Sequence, residues 1–224
     1  MTGSLSRKNN PKVAAENDLA LKAQRLPRAF FNRDPRQVAR ELLGKLIVRK
    51  LGPDFLAGRI VEVEAYLGAE DAAAHAAAGR TPRNSVLFGP PGHAYVYFIY
   101  GVHYCLNISC MPEGEAGCVL IRALEPVAGV LEMASARGLE SFHPESQRDL
   151  LKLLSGPGKL CEALGIMRPR DNGKDLLSSR SDLQLRDDGV RPAQILTTPR
   201  IGITKSAEMP LRYLIAENAF VSRR

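Results

Sequence analysis

Cysteine is scarce and unpaired in this chain. Its four cysteines, Cys105, Cys110, Cys118 and Cys161, include no C-x-x-C pair. Three of them fall in apolar runs that read as buried strands, which argues against a zinc centre or a disulfide framework. The four histidines, His75, His93, His103 and His143, share no metal-ligand spacing, so neither a metal nor another cofactor is expected. A zinc deaminase needs H-x-E and a later P-C-x-x-C, whereas His75 is followed by Ala76 and Ala77. The phosphate-binding loop, the dinucleotide fingerprint and the G-x-S-x-G nucleophile elbow are missing too. No stretch approaches the ~20 apolar residues of a membrane span, and the opening 25 residues lack the apolar centre of a secretory signal. The expectation is a soluble, intracellular protein, in the cytoplasm or nucleoid of a bacterium or the nucleus of a eukaryote, with no membrane partner.

What the chain does have is a modest basic excess, 31 Lys and Arg against 24 Asp and Glu. Residues 1–26 hold five basic and two acidic side chains, and residues 199–224 hold five and two again, so most of the net charge of +7 sits at the ends. A balanced middle with basic ends fits a folded enzyme attracted to a polyanion better than a nucleic-acid coat protein. Many basic proteins never meet nucleic acid, so charge leaves the question open. A length of 224 residues and a hydrophobic share of 45% suit a single core. With no repeat and no shift of composition, 26–224 reads as one domain behind a mobile basic tail over 1–25, and as a monomer.

Helix and strand signals alternate along that domain. Asp34 caps a helix over 35–43, Pro35 suits its first turn and Gly44 ends it. LIVRKL (46–51) and GRIVEVEAY (58–66) carry β-branched alternation around a Gly-Pro turn and read as a hairpin. HAYVYFIYG (93–101), CLNISCM (105–111) and CVLIRALEP (118–126) follow with short connections, which favours antiparallel neighbours. Helical character recurs at 127–137, 146–154 and 157–164, and later strands are expected at 193–204 and 211–216. Residues 68–92 form a long connection of the kind that is functional or disordered. The fold class is α/β of the α+β type: one mixed domain around a curved, mostly antiparallel sheet with flanking helices.

In strand 58–66, Glu62, Glu64 and Tyr66 share one face, while Val61, Val63 and Ala65 take the other. Two carboxylates and a phenol on one surface can be a solvated strand face or a site. Four of the six tyrosines fall between 95 and 104. Aromatic planes beside a carboxylate could stack a base while the acid works on its glycosidic carbon; an aromatic core stripe is the bland alternative. SGPGK (155–159) offers a helix start and Lys159 to a phosphate. It also looks like one turn of a helix-hairpin-helix, which would suit an all-helical glycosylase class. A non-catalytic lesion-binding protein would keep the tyrosines and basic ends but could dispense with Glu64.

RIVEVEAYLGAEDAAAH (59–75), TPRN (81–84), YVYFIYGVHYCLNIS (95–109), CVLIRALEP (118–126) and SGPGKLCEAL (155–164), in that order, closely resemble the alkyladenine (3-methyladenine) DNA glycosylase family. The resemblance runs from about Arg28 to Ser222 and implies a single mixed α/β domain acting on double-stranded DNA that contains damaged purines. It implies that Glu64 rather than Glu62 is the general base for the attacking water, helped by Arg122 and the main-chain carbonyl of Ile201. Tyr66, His75 and Tyr97 then correspond to walls around a flipped base, backbone groups near Ala73 and Ala74 to readers of its edge, and Asn107 to a residue against the purine 2-position. Tyr100 corresponds to the side chain that fills the vacated stack, and Arg80, Lys159 and Lys205 to phosphate contacts. No lysine accompanies the pocket motifs, so hydrolysis without lyase activity is expected.

Overall fold

The structure is a computed structural model that describes residues 22–52, 54–99 and 101–222. Among these residues nine strands form a single sheet in the order β1-β7-β2-β3-β6-β5-β4, with β9 beside β3 and β8 beside β9. They are β1 (Gln24–Arg25), β2 (Leu46–Leu51), β3 (Asp54–Tyr66), β4 (Ala94–Ile99), β5 (His103–Cys110), β6 (Gly117–Ala128), β7 (Leu183–Asp187), β8 (Ile195–Thr198) and β9 (Arg212–Ile215). Every pairing among them is antiparallel. Among the described residues five α-helices accompany the sheet: α1 (Pro35–Leu42), α2 (Val130–Ala136), α3 (Gln147–Leu154), α4 (Pro157–Ala163) and α5 (Arg168–Asp171). The mixed, mostly antiparallel single domain is therefore as the sequence implies.

Local chemistry explains the elements. Asp34 accepts the Arg36 N–H at 2.8 Å and caps α1, while Ser146 accepts from Asp149 to cap α3. The alternation in LIVRKL and GRIVEVEAY makes the expected hairpin, pairing Leu46 with Arg59 through Leu51 with Asp54. The largest cluster of the core holds Leu42, Ile60, Val63, Leu106, Ile108, Leu124 and Leu160, all fully buried. It lies between the sheet and the helices: α1 packs on β3, and α4 on β5 and β6. Burying such a side chain contributes about 1.5–3 kcal/mol.

Three expectations shift. The strand read over 193–204 stops at Thr198, because Pro199 cannot donate to a ladder and Gly202 turns the chain at φ 78°. The helix read over 127–137 begins only at Val130, since β6 runs on to Ala128 and Gly129 turns out of it at φ 75°. Of the basic tail read over 1–25, residues 1–21 lie outside the described residues, and Gln24–Arg25 pair with β7.

Candidate active site

The site grows from an irregular register between the two longest strands. Val63 faces Ile121 and Glu62 faces Ala123, so Arg122 is an extra residue on β6; Ile60 faces Leu124, so Val61 is an extra residue on β3. Extra residues of this kind re-aim side chains next to functional sites. Val61 accordingly leaves the core face expected for it and packs with Ala123 and Phe220. Arg122 turns its guanidinium between the two carboxylates, with Nε 2.9 Å from Glu62 and Nη1 3.1 Å from Glu64.

Although Glu62 and Glu64 are both wholly buried, their surroundings differ. Glu62 accepts from Arg122 Nε, from Arg212 Nε at 2.7 Å and from the Ser222 N–H at 2.6 Å. Burial opposes its ionisation, but the Ser222 N–H and the two guanidiniums overcome that and hold its pKa below the ordinary value. Glu64 accepts from the Ile201 N–H at 2.8 Å and, through its other oxygen, from the Tyr66 hydroxyl at 3.0 Å. Glu64 lines a cavity of about 430 Å³ with Tyr66, Tyr97, Arg122, Lys159 and Ile201, and Glu62 does not. The recorded contact of Ile201 to the site is thus its amide N–H, delivered by the Pro199–Gly202 turn that replaces the expected strand. Burial and the Glu64 carboxylate raise the Tyr66 phenol well above its usual range, and burial does the same to Tyr97.

A ring cluster stands beside these groups. The His75 and Tyr97 centroids are 4.5 Å apart at 68°, and His75 Nδ1 lies 2.9 Å from the Tyr95 hydroxyl. Burial, then the nearby Arg83, lowers the pKa of His75, which favours the neutral ring; burial pushes Tyr95 up to about 12. The loop carrying His75 is latched by Asn84 of TPRN, whose amide donates to the carbonyls of His75 at 2.9 Å and Gly79 at 3.0 Å. The Ala73 N–H donates to the Asp71 carboxylate and the Ala74 N–H to the Asp71 carbonyl. Both amides are therefore turned inward.

Asn107 is on the same face of β5 as Cys105, which lines the cavity, while Leu106 and Ile108 are in the core. The Asn107 side chain is itself buried, donates to the Tyr95 carbonyl at 3.2 Å and is not among the cavity-lining residues. Lys159 is exposed and reaches the cavity, whereas Arg80 and Lys205 are exposed away from its lining. The expectation that no lysine accompanies the pocket is corrected by Lys159. Tyr100 lies outside the described residues. Among those residues, no group of three His, Cys, Asp or Glu could hold a metal ion, and no helix is long and apolar enough to cross a membrane. The sequence reading missed Asp71, Asn84, Arg200 and Arg212; only Asp71 and Asn84, each inside a quoted motif, left a signal that could have been followed.

Comparison with known proteins places this geometry. Residues 29–219 match the sequence model of methylpurine-DNA glycosylase. A Koribacter versatilis protein assigned as a candidate 3-methyladenine DNA glycosylase is 63% identical over 197 residues, covering 88% of this chain and 92% of that protein. Proteins assigned in the same way from Burkholderia cenocepacia and Methanoculleus marisnigri are each 48% identical, covering 88% and 89% of this chain and 90% and 99% of their own lengths. With a family match across nearly the whole folded chain, and with a buried carboxylate set beside aromatic rings in a cavity, the chain belongs to the methylpurine-DNA glycosylase family and is a DNA glycosylase, a hydrolase of N-glycosyl bonds.

Proposed function

We propose that the protein flips alkylated or deaminated purines, of the 3-methyladenine, 7-methylguanine, hypoxanthine and ethenoadenine class, out of duplex DNA and hydrolyses their N-glycosidic bond with water activated by Glu64. The observation that carries this reading is the holding of Glu64. Three donors, Ile201 N–H, Arg122 Nη1 and Tyr66 hydroxyl, fix a carboxylate that opens on the cavity. A carboxylate offers about four acceptor positions, so one remains on the oxygen bonded to Tyr66, and a water can donate there. As that water attacks the sugar C1′, its proton passes to Glu64, the C1′–N bond breaks, and the bonding pair leaves with the base. A cationic purine departs neutral, and a neutral purine must gain a proton on leaving.

Base recognition falls to the rings. Tyr66 on one side and His75 with Tyr97 on the other stack the flipped purine, at about 1–3 kcal/mol per base, against a flipping cost of a few kcal/mol. Backbone groups near Ala73 and Ala74 other than their N–H groups read its edge. Asn107 is set against the purine 2-position, Tyr100 fills the vacated stack, and Arg80, Lys159 and Lys205 meet phosphates. The monofunctional reading assigns Lys159 to a phosphate and not to C1′.

The test is single-turnover base release from duplexes each carrying one defined lesion. Glu64→Gln keeps lesion binding and lowers the rate by about 10²–10⁴-fold. Near-normal release by Glu64→Gln refutes the mechanism. Borohydride added during turnover traps no adduct; an adduct that disappears in Lys159→Met refutes simple hydrolysis.

A further inference from the structure

A buried ion pair behind Tyr66 has no part in the reaction as described above. Arg200 Nη2 lies 2.8 Å from Asp71 Oδ1, and Nη1 meets the second Asp71 oxygen and the Ala65 carbonyl at 3.1 Å. Both side chains are wholly buried. The guanidinium carbon of Arg200 stands 4.6 Å from the centroid of the Tyr66 ring. Its Nε is buried with no hydrogen-bond partner, which leaves the ring as its neighbour. Tyr66 lines the cavity and Arg200 does not. The ring therefore carries a fixed cation on one side and also borders the cavity.

We propose that Arg200 is a specificity-determining residue that, from behind Tyr66, disfavours cationic alkylated purines relative to neutral ones in the base site. The proposal rests on Tyr66 being a wall of that site. An aromatic face attracts a cation through its electron-rich centre. A ring already polarised toward Arg200 offers less of that attraction to a second cation on its other face, and two like charges across one ring also repel in a region of low dielectric. A neutral purine loses neither term, because its stacking depends on contact area. Asp71 neutralises the pair as a whole, but the group stacked on the ring is the guanidinium.

The same pair also braces the site. Asp71 accepts the N–H groups of Leu67 and Ala73, and Arg200 immediately precedes Ile201. A simple loss of activity would therefore not distinguish bracing from specificity. The sign of a ratio does. We take kcat/KM for release of 7-methylguanine, a cation, over that for hypoxanthine, a neutral base, with both duplexes competing in one reaction. Removing both charges while keeping volume, in Asp71→Asn/Arg200→Met, raises this ratio about 3- to 10-fold. Removing only the compensating carboxylate, in Asp71→Asn, lowers it, because the cation behind the ring is then unshielded. Opposite shifts in two variants that both loosen the same loop are not produced by bracing alone. Parallel losses on the two bases, with the ratio unchanged in whichever variant folds, overturn the proposal while leaving the glycosylase reading intact. Release of neither base by the unaltered protein overturns that reading and this proposal together.

Discussion

Replacing Glu62 by glutamine separates the two buried carboxylates by what each one holds. Glu62 accepts from two guanidiniums on one oxygen and from the Ser222 N–H on the other. Glutamine keeps a single acceptor oxygen. If that oxygen serves Arg122 and Arg212, the new amide faces the Ser222 N–H, donor against donor. Removing one partner of a buried ion pair costs about 3–5 kcal/mol. Arg122 still has Glu64 at 3.1 Å and Arg212 still has the Thr198 hydroxyl at 3.2 Å, which places the expected cost at the lower end, about 3 kcal/mol. For a chain of this size each kcal/mol moves Tm by about 2–4 °C, so Glu62→Gln melts about 6–12 °C lower. Glu64→Gln leaves Arg122 paired with Glu62, keeps an oxygen for the Ile201 N–H and lets the Tyr66 hydroxyl turn to accept from the new amide, so it loses about 1.5–3 kcal/mol, yet it removes the base. The assay is a pair of thermal melts beside single-turnover excision well below both transitions. Glu62→Gln is the less stable of the two and active; Glu64→Gln is the more stable of the two and inactive. A Glu62→Gln protein that melts normally and loses excision refutes the division of roles. Acid gives a second reading of the same pair. The folded-state pKa of Glu62 is lowered, so its contribution is present above the ordinary carboxylate value and is lost as pH falls through the lowered one. Glu62→Gln therefore flattens the acid limb of Tm against pH.

Two further outcomes are expected. Burial and Arg83 favour neutral His75, so the stability it contributes is complete above the ordinary value of 6.5 and declines as pH falls through the lowered pKa; an NMR titration with a midpoint at or above 6.5 contradicts the packing described. Asn107→Ser removes the donor to the Tyr95 carbonyl at a cost of about 1–3 kcal/mol; if Asn107 is set against the purine 2-position as proposed, it also opens space there and release of guanine rises relative to hypoxanthine, and a folded, active variant with an unchanged ratio removes Asn107 from selectivity.

The strands were legible because their side chains alternate and their turns carry Gly or Pro. LIVRKL and GRIVEVEAY predict both the hairpin and the sharing of one face by Glu64 and Tyr66. The arginines were not legible. Arg200 meets Asp71 across 129 positions and Arg212 meets Glu62 across 150, and no local period marks such pairs. The paired register irregularities were equally hidden, because nothing in IVEVEAY or VLIRALE distinguishes an extra residue from a paired one. The failed strand over 200–204 shows the same limit from the other side: RIGI has strand composition, but Pro199 and Gly202 free the Ile201 amide to meet Glu64 instead of a neighbouring strand.

Arg122 exists in its observed place only because the β6 ladder skips it, and that position sets the charge balance of the whole site. Glu62 and Glu64 carry two negative charges and Arg122 and Arg212 two positive ones, all within a wholly buried or nearly buried cluster. The cluster is neutral before DNA arrives, so burying it does not leave a net charge in a low dielectric. The neutrality is uneven in space. Arg212 joins the cluster through Glu62 and does not line the cavity, whereas Glu64 and Arg122 do. If Glu64 is the base proposed above, an N-glycosidic bond that lengthens before water closes on C1′ leaves positive charge on the sugar beside its carboxylate. In that reading the four charges favour the transition state over the bound ground state, which is the condition for a rate gain. Neutralising Glu62 disturbs this only through the position of Arg122, and neutralising Glu64 removes the one negative charge among the described residues that line the cavity. Two glutamates two residues apart on one strand therefore sit differently, one held by two guanidiniums and a backbone N–H away from the cavity and the other opening on it.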